Sequence, residues 1–278
     1  LIYGKLGFPA LGVEGAAIAT VISRFVELAI IVVYVHRHTG RFLFVEGLYR
    51  SMGIPGGLAV DIIKKGTPLL ANELMWSLGM TTLTQIFSTR GLNVVAGLNI
   101  ASTITNLFNV VVFSMGTAVA VMVGQALGAG DIPGAKRTTW RLIFLSICVS
   151  IVFGGALAGL SPFIPYLYNT TDEVRMMATR FMMTSAIYMG FNAVCHSSYF
   201  AIRSGGKTFI TFLFDSVYTW LILVPYTYVL THFTTLDILV LYPVCYIVDI
   251  IKCIIGIAIV KSGYWARNMV SDKSLKDS

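Results

Sequence analysis

Charge is the scarcest commodity in this 278-residue chain: Asp, Glu, Lys and Arg together make up 12% of it. A soluble domain carries about 25%, so the polar surface needed to cover a globule of this size is missing. Disorder is excluded on the same ground, because it requires high charge and low hydrophobicity. Cysteine is sparse as well, with four residues, no CxxC pair and no secretory leader pattern ahead of them. That excludes a disulfide framework and a zinc knuckle. No nucleophile elbow, HExxH helix or pair of glycosidase carboxylates is present, and Gly128-Ala129-Gly130 follows no strand, so it is not a dinucleotide loop. What the chain has is apolar residue, 56% by composition, with a mean hydropathy of +0.79. Together these define an all-α, polytopic membrane protein.

Roughly 20 apolar residues are needed per crossing. Seven runs qualify: Val13–Val35, Gly66–Ser88, Val94–Val121, Leu142–Leu160, Arg175–Ile202, Phe209–Leu230 and Leu236–Val260. The first stands apart, separated from the other six by the polar, glycine-containing stretch His36–Gly57. A connection of that length suggests a link between two units. Basic residues then fix an orientation. Fourteen lie in connections on one side, including Lys136, Arg137, Arg203, Lys207 and Lys261, against four on the other, Lys5, Arg90, Arg175 and Arg180. The positive-inside rule predicts that the Gly128–Arg137 loop and the C-terminus are cytoplasmic, in a multi-pass protein of the cell membrane. The net charge of +7 is spent on those loops, so no nucleic-acid partner is expected; the lipid bilayer is the partner.

Charge inside a span costs about 2.5–3.5 kcal/mol per residue on insertion scales, so it requires a partner or a function. Four acids lie within spans, Glu27, Glu73, Asp215 and Asp249, with two bases, Arg24 and Lys252. Arg24 and Glu27 are three apart and are expected to pair locally; Asp249 and Lys252 have the same spacing and are expected to form a second ion pair, structural or coupling. Glu73 and Asp215 have no base at three or four residues, which makes them the functional candidates. Polar stripes accompany them at helical spacing: Asn99, Ser102, Asn106 and Asn109; Tyr188, Asn192, His196 and Tyr199; Tyr242, Tyr246, Asp249 and Lys252. Interhelical hydrogen bonds explain one such stripe. Three stripes with two unpaired carboxylates predict a polar cavity between helices. Smaller features have simpler readings. Asp131 caps a helix starting near Pro133, Thr170 with Glu173 makes a capping box ahead of the Arg175 run, and His196 is an interior histidine with no companion metal ligand. No metal site is expected.

These residues resemble the prokaryotic branch of the multidrug and toxic compound extrusion (MATE) family. The carrying segments are Gly7-Phe8-Pro9-Ala10-Leu11-Gly12-Val13-Glu14-Gly15, running on to Thr20; Gly66-Thr67-Pro68 with Asn72-Glu73-Leu74-Met75-Trp76-Ser77-Leu78-Gly79; Met122-Val123-Gly124-Gln125 to Asp131, with Lys136; and Arg203-Ser204-Gly205-Gly206-Lys207 followed by Asp215, Trp220 and Pro225. The resemblance implies a twelve-helix fold of two six-helix lobes. This chain, which starts at Leu1, is then expected to hold the end of the first lobe (1–37), a cytoplasmic inter-lobe linker (38–57), the six-helix second lobe (58–262) and a cytoplasmic tail (263–278). A first lobe belonging to the same chain is the implied partner. The implied activity is secondary export of drugs, organic cations or other amphipathic compounds, driven by a Na⁺ or H⁺ gradient, with no cofactor beyond that coupling ion. Glu73 and Asp215 would exchange the coupling ion for substrate, while Asn72, Trp76, Asn106 and Asn192 would line the path. The alternatives are a flippase for lipid-linked oligosaccharides from the same superfamily and a half-size partner subunit; an enzyme is not expected.

Overall fold

The computed structural model describes residue 9 and residues 11–40 and 56–267. Most of the expected linker 38–57, the first eight residues and the tail from 268 onward lie outside those residues. The chain divides into two compact units, Leu1–Asp61 and Ile62–Ser278. The first carries helix α1, Gly12–Arg37, which is mostly apolar and leaves Phe25 and Ile30 exposed. Its expected local pair forms, with Arg24 Nη1 2.8 Å from Glu27 Oε2.

Among the described residues six further long helices follow: α2 (Gly56–Ser88), α3 (Leu92–Gly128), α4 (Ile132–Leu160), α5 (Asp172–Ser204), α6 (Thr208–Phe233) and α7 (Ile238–Ser262). No strand occurs among the described residues. All seven expected spans therefore appear as helices, several of them longer than the apolar run alone. Five, α1, α3, α4, α6 and α7, are long and apolar enough to cross a bilayer on length and composition. Of the other two, α2 is interrupted by Asn72 and Glu73 and α5 by the Tyr188–Tyr199 stripe; these are the helices that carry most of the polar residues described below.

The helix ends are set by local chemistry. Asp131 accepts from the Gly134 amide at 2.8 Å and caps α4, as its position predicts, with Pro133 in the first turn. At α5 the cap is Thr171, whose hydroxyl accepts from the Val174 amide, one residue later than the expected box at Thr170. Glu173 is drawn away from the cap by Asn93, whose Nδ2 donates to it at 2.8 Å. Gly263 ends α7 in the left-handed conformation, φ 66°.

Within the second unit the connections sort to two ends. At one, the Arg90 guanidinium donates to the carbonyls of Thr231, Thr234 and Leu236, tying the α2–α3 turn to the α6–α7 turn, while Asn93 reaches the start of α5. At the other, Trp265 is fully buried among Leu127, Ala135, Ile202 and Val260, so the α3–α4 turn, the end of α5 and the end of α7 share one core. The backbone at Gly205 passes so close to the Trp265 carbonyl that no side chain fits there. The helices thus alternate in direction as the spacing of basic residues requires, and a second core of Phe87, Val94, Leu157, Phe181 and Leu241 fills the Arg90 end.

Helix α6 is not uniform. Between α-helical ends, Leu213–Val217 and Thr219–Leu223 are wound as π-helix. Such segments are rare and concentrate at functional sites. Asp215 lies in the first.

Candidate functional site

Four helices, α2, α5, α6 and α7, bring their polar residues together around Asn72. This asparagine is 1% exposed, so each of its polar atoms needs a partner. Its Nδ2 donates to Tyr199 Oη (3.1 Å) on α5 and to Asp215 Oδ2 (3.2 Å) on α6. Its Oδ1 accepts from Ser216 Oγ at 2.7 Å, and the same hydroxyl lies 2.9 Å from the Asn72 carbonyl oxygen. Close helix approach makes this possible. A Cβ on Gly79 would stand 2.7 Å from Thr219 Cγ2, and Trp220 Nε1 donates to the Met75 carbonyl at 2.8 Å, so α6 lies directly against α2.

Asp215 has a partner on each oxygen. Oδ2 faces Asn72, and Oδ1 receives Lys252 Nζ from α7 at 2.7 Å, with both side chains about 15% exposed. The pairing of Lys252 with Asp249, expected from their spacing on one helix, is not the one formed. The lysine stem instead crosses to the π-wound segment, its ammonium lying 5.5 Å and 5.7 Å from the ring centres of Phe214 and Tyr218. Asp249 contributes its main-chain carbonyl to the neighbourhood of Cys195 and forms no ion pair among the described residues. The reason is directional. Side chains three apart on a helix meet only if both lie back along the same face, whereas Lys252 reaches across to a carboxylate on the facing helix and gains a charged hydrogen bond of 2.7 Å.

Glu73 is adjacent in sequence and different in character. Its side chain is 59% exposed. Its Oε1 lies 3.4 Å from Tyr199 Oη and 3.5 Å from Arg203 Nη1, and its Oε2 bonds to nothing among the described residues. Arg203, which the sequence places among cytoplasmic basic residues, thus belongs to the site. So do Tyr199, Ser216 and Trp220. The one signal for Tyr199 and Arg203 in the sequence is their four-residue spacing at the end of the α5 stripe. Nothing in the local sequence announces Ser216. The whole forms one chain of contacts, Arg203–Glu73–Tyr199–Asn72–Asp215–Lys252, with two acids and two bases.

The remaining candidates lie outside it. Trp76 is 38% exposed, one turn beyond Glu73 on the same open side of α2. Asn106 on α3 and Asn192 on α5 are exposed and unconnected to the Asn72 network. Asn99 and Ser102 continue the exposed line on α3, and Thr81, Thr84, Gln85 and Ser88 line an open cleft of about 490 Å³ on α2. The Tyr242–Tyr246 stripe is packing: the two hydroxyls bond at 3.0 Å and Tyr242 lies against Phe87 and Phe181. His196 sets its ring edge-on to Phe113, 5.1 Å between centres.

An apolar helix bundle with an ionic chain running from the exposed Glu73 to the half-buried Lys252 has the makings of a membrane transporter. The family comparison gives it a more particular place. The MatE family model matches residues 68–229, more than half of the chain, and the chain belongs to that family. It is 28% identical over 260 residues to the probable multidrug resistance protein YoeA of Bacillus subtilis, covering 90% of this chain and 55% of that protein. It is 24% identical to the probable multidrug resistance protein NorM of Thermotoga maritima, over 97% of this chain and 57% of the relative. The chain therefore spans about half the length of the curated relatives it matches. Among solved structures, a multidrug resistance MATE family transporter of the MOP superfamily in its outward-facing conformation superposes with a TM-score of 0.79 at 20% identity, over 94% of this chain and 58% of that one. A MOP superfamily transporter from Pyrococcus furiosus gives the same TM-score at 21% identity and the same coverage of each chain. The fold is that of a MATE transporter, a family of transporters rather than of enzymes.

Proposed function

We propose that this chain supplies the second lobe of a secondary active exporter of drugs, organic cations or other amphipathic compounds, with Glu73 and Asp215 exchanging a coupling Na⁺ or H⁺ for substrate. The observation that carries this reading is the asymmetry of the two acids. Asp215 is buried with both oxygens occupied, while Glu73, two contacts away through Tyr199 and Asn72, keeps a free oxygen on the open side of the lobe. A cation or proton arriving at Glu73 weakens its hold on Arg203 and Tyr199, and Tyr199 shares Asn72 with Asp215. Neutralisation at one acid is thereby felt at the other. Trp76, one turn on, offers an aromatic face to an organic cation.

The exposed Asn99, Ser102 and Asn106 on α3, with Asn192 on α5, support a water-filled cavity beside this lobe, because lipid cannot satisfy such polar groups. In such transporters a second bundle faces the first across a midplane site; a first lobe is the partner this face requires, with 1–37 and 38–57 as its end and its linker. The asymmetry of basic residues supports a cytoplasmic C-terminus and a cytoplasmic Gly128–Arg137 loop in the cell membrane. A flippase for lipid-linked oligosaccharides would need unpaired bases in the cavity to hold a pyrophosphate; Lys252 is committed to Asp215 and Arg24 to Glu27.

The test is transport in vesicles under an imposed Na⁺ or H⁺ gradient. Glu73→Gln is expected to abolish gradient-driven export while leaving folding and membrane insertion intact. Normal transport in that variant removes Glu73 from the coupling role.

A further inference from the structure

Beyond the ionic chain, α5 and α7 share a second cross-helix pair to which no role has been given. Cys195 and Cys253 are both buried, and their sulfurs are in contact at 3.0 Å. Each thiol also reaches the backbone of the opposite helix: Cys253 Sγ lies 3.1 Å from the Phe191 carbonyl oxygen, and Cys195 Sγ 4.0 Å from that of Asp249. The closeness belongs to the helices and not to the sulfurs alone. One turn further along both, a Cβ on Gly256 would stand 3.1 Å from Ser198 Cβ. A disulfide needs its two Cβ atoms about 3.5–4.5 Å apart and its sulfurs within bonding reach; the sulfurs here already touch, on helices that approach closely one turn further on. Phe191, whose carbonyl oxygen Cys253 reaches, and Ile254, its neighbour in sequence, are 40% and 63% exposed, so the buried thiols lie close to the surface of the lobe.

We propose that Cys195 and Cys253 form an intramembrane dithiol that closes reversibly to a disulfide, stapling α5 to α7 one residue from Lys252. Closure breaks two S–H bonds and forms one S–S bond. The two electrons and two protons pass to a membrane-permeant acceptor, either a quinone, which becomes its hydroquinone, or the azo reagent diamide, whose N=N bond is reduced to a hydrazine. Re-opening takes a dithiol reductant. Because α5 carries Tyr199 and Arg203 and α7 carries Lys252, the staple fixes both flanks of the ionic chain against each other. The other two cysteines serve as internal controls, Cys148 being exposed and Cys245 buried without a thiol partner.

The experiment treats the protein in membranes with diamide, alkylates remaining thiols in denaturant and reads peptides by mass spectrometry. The expected result is a single crosslink, Cys195 to Cys253, lost in Cys195→Ser and reversed by dithiothreitol, with a raised unfolding midpoint in detergent. If both cysteines instead remain fully alkylatable, or the crosslinks formed join Cys148 of separate molecules, the dithiol assignment is wrong. Transport is a separate readout that rests on the exporter reading above: crosslinked wild-type protein is expected to lose gradient-driven export several-fold while diamide-treated Cys195→Ser retains it. A quantitative crosslink with undiminished transport overturns the stapling of the ionic chain and leaves the exporter reading untouched.

Discussion

Replacing Asp215 by Asn removes the carboxylate from Lys252 while keeping its shape. The geometry sets the size of the effect. Lys252 Nζ lies 2.7 Å from Oδ1, and both side chains are about 15% exposed. Two unit charges about 4 Å apart at an effective dielectric of about 20 interact by about 4 kcal/mol. Removing one partner of a buried pair costs about 3–5 kcal/mol, because the other charge is left without compensation. Asp215→Asn and Lys252→Gln are each expected to lower unfolding stability in detergent by that amount. The double variant is expected to recover most of the loss, since the large cost of breaking a buried pair comes from the charge left uncompensated and here none is left. Asp249→Asn is the internal contrast: it forms no ion pair among the described residues, and its replacement is expected to cost less than about 1 kcal/mol. The assay is a double-mutant cycle on thermal or denaturant unfolding. Additive single losses at Asp215 and Lys252, or a cycle that couples Lys252 to Asp249 instead, would refute the pairing across α6 and α7.

The same network yields further expectations. Asn72→Ala, at a position 1% exposed, takes the amide donor from Asp215 Oδ2 and from Tyr199 while Ser216 keeps the main-chain carbonyl of residue 72, and unfolding measurements are expected to show a loss of about 1–3 kcal/mol. Gly79→Val sets a side chain against Thr219 where a Cβ already stands 2.7 Å away, and is expected to destabilise by about 1–3 kcal/mol by forcing α2 from α6; a neutral result would mean that the two helices are not in contact there. For topology, single cysteines placed at Asp131 and Asn169 in a background lacking the native four are expected to be labelled by an impermeant thiol reagent in intact cells at Asn169 only. Labelling at Asp131 alone would invert the orientation.

Much of the fold follows from local rules that a sequence displays openly. Apolar runs give the seven helices, Asp131 with Pro133 gives the start of α4, and the segments around Asn72, Gln125 and Arg203 carry the family. The three-residue spacing of Arg24 and Glu27 also predicts their bond, because α1 presents both to the same open surface. That rule fails for Asp249 and Lys252 for a physical reason. Lys252 sits at an interface, and its choice of partner depends on the winding of a different helix. The π segments that carry Asp215 toward it break no pattern of apolar residues in α6, so periodicity does not reveal them. The convergence of Asn72, Asp215 and Tyr199 is half legible: each stands out as a polar residue in a span, but their meeting depends on Gly79 and Trp220 drawing α6 onto α2. Arg203 is hidden by its own context, a basic residue near a loop where basic residues are ordinary. The cap falls one residue late, at Thr171, and Glu173 bonds to Asn93, 80 positions away, a contact that the local sequence does not display.

Coupling is separable from mere passage. With the ion pair removed in the Asp215→Asn/Lys252→Gln variant, folding is expected to survive, so transport can be read without a stability defect. The measurement compares substrate movement down its own gradient with accumulation against it, in vesicles holding an imposed Na⁺ or H⁺ gradient. The double variant is expected still to equilibrate substrate but no longer to accumulate it when the ion gradient is applied. Uphill accumulation equal to wild type would show that Asp215 and Lys252 hold the helices together and take no part in the exchange.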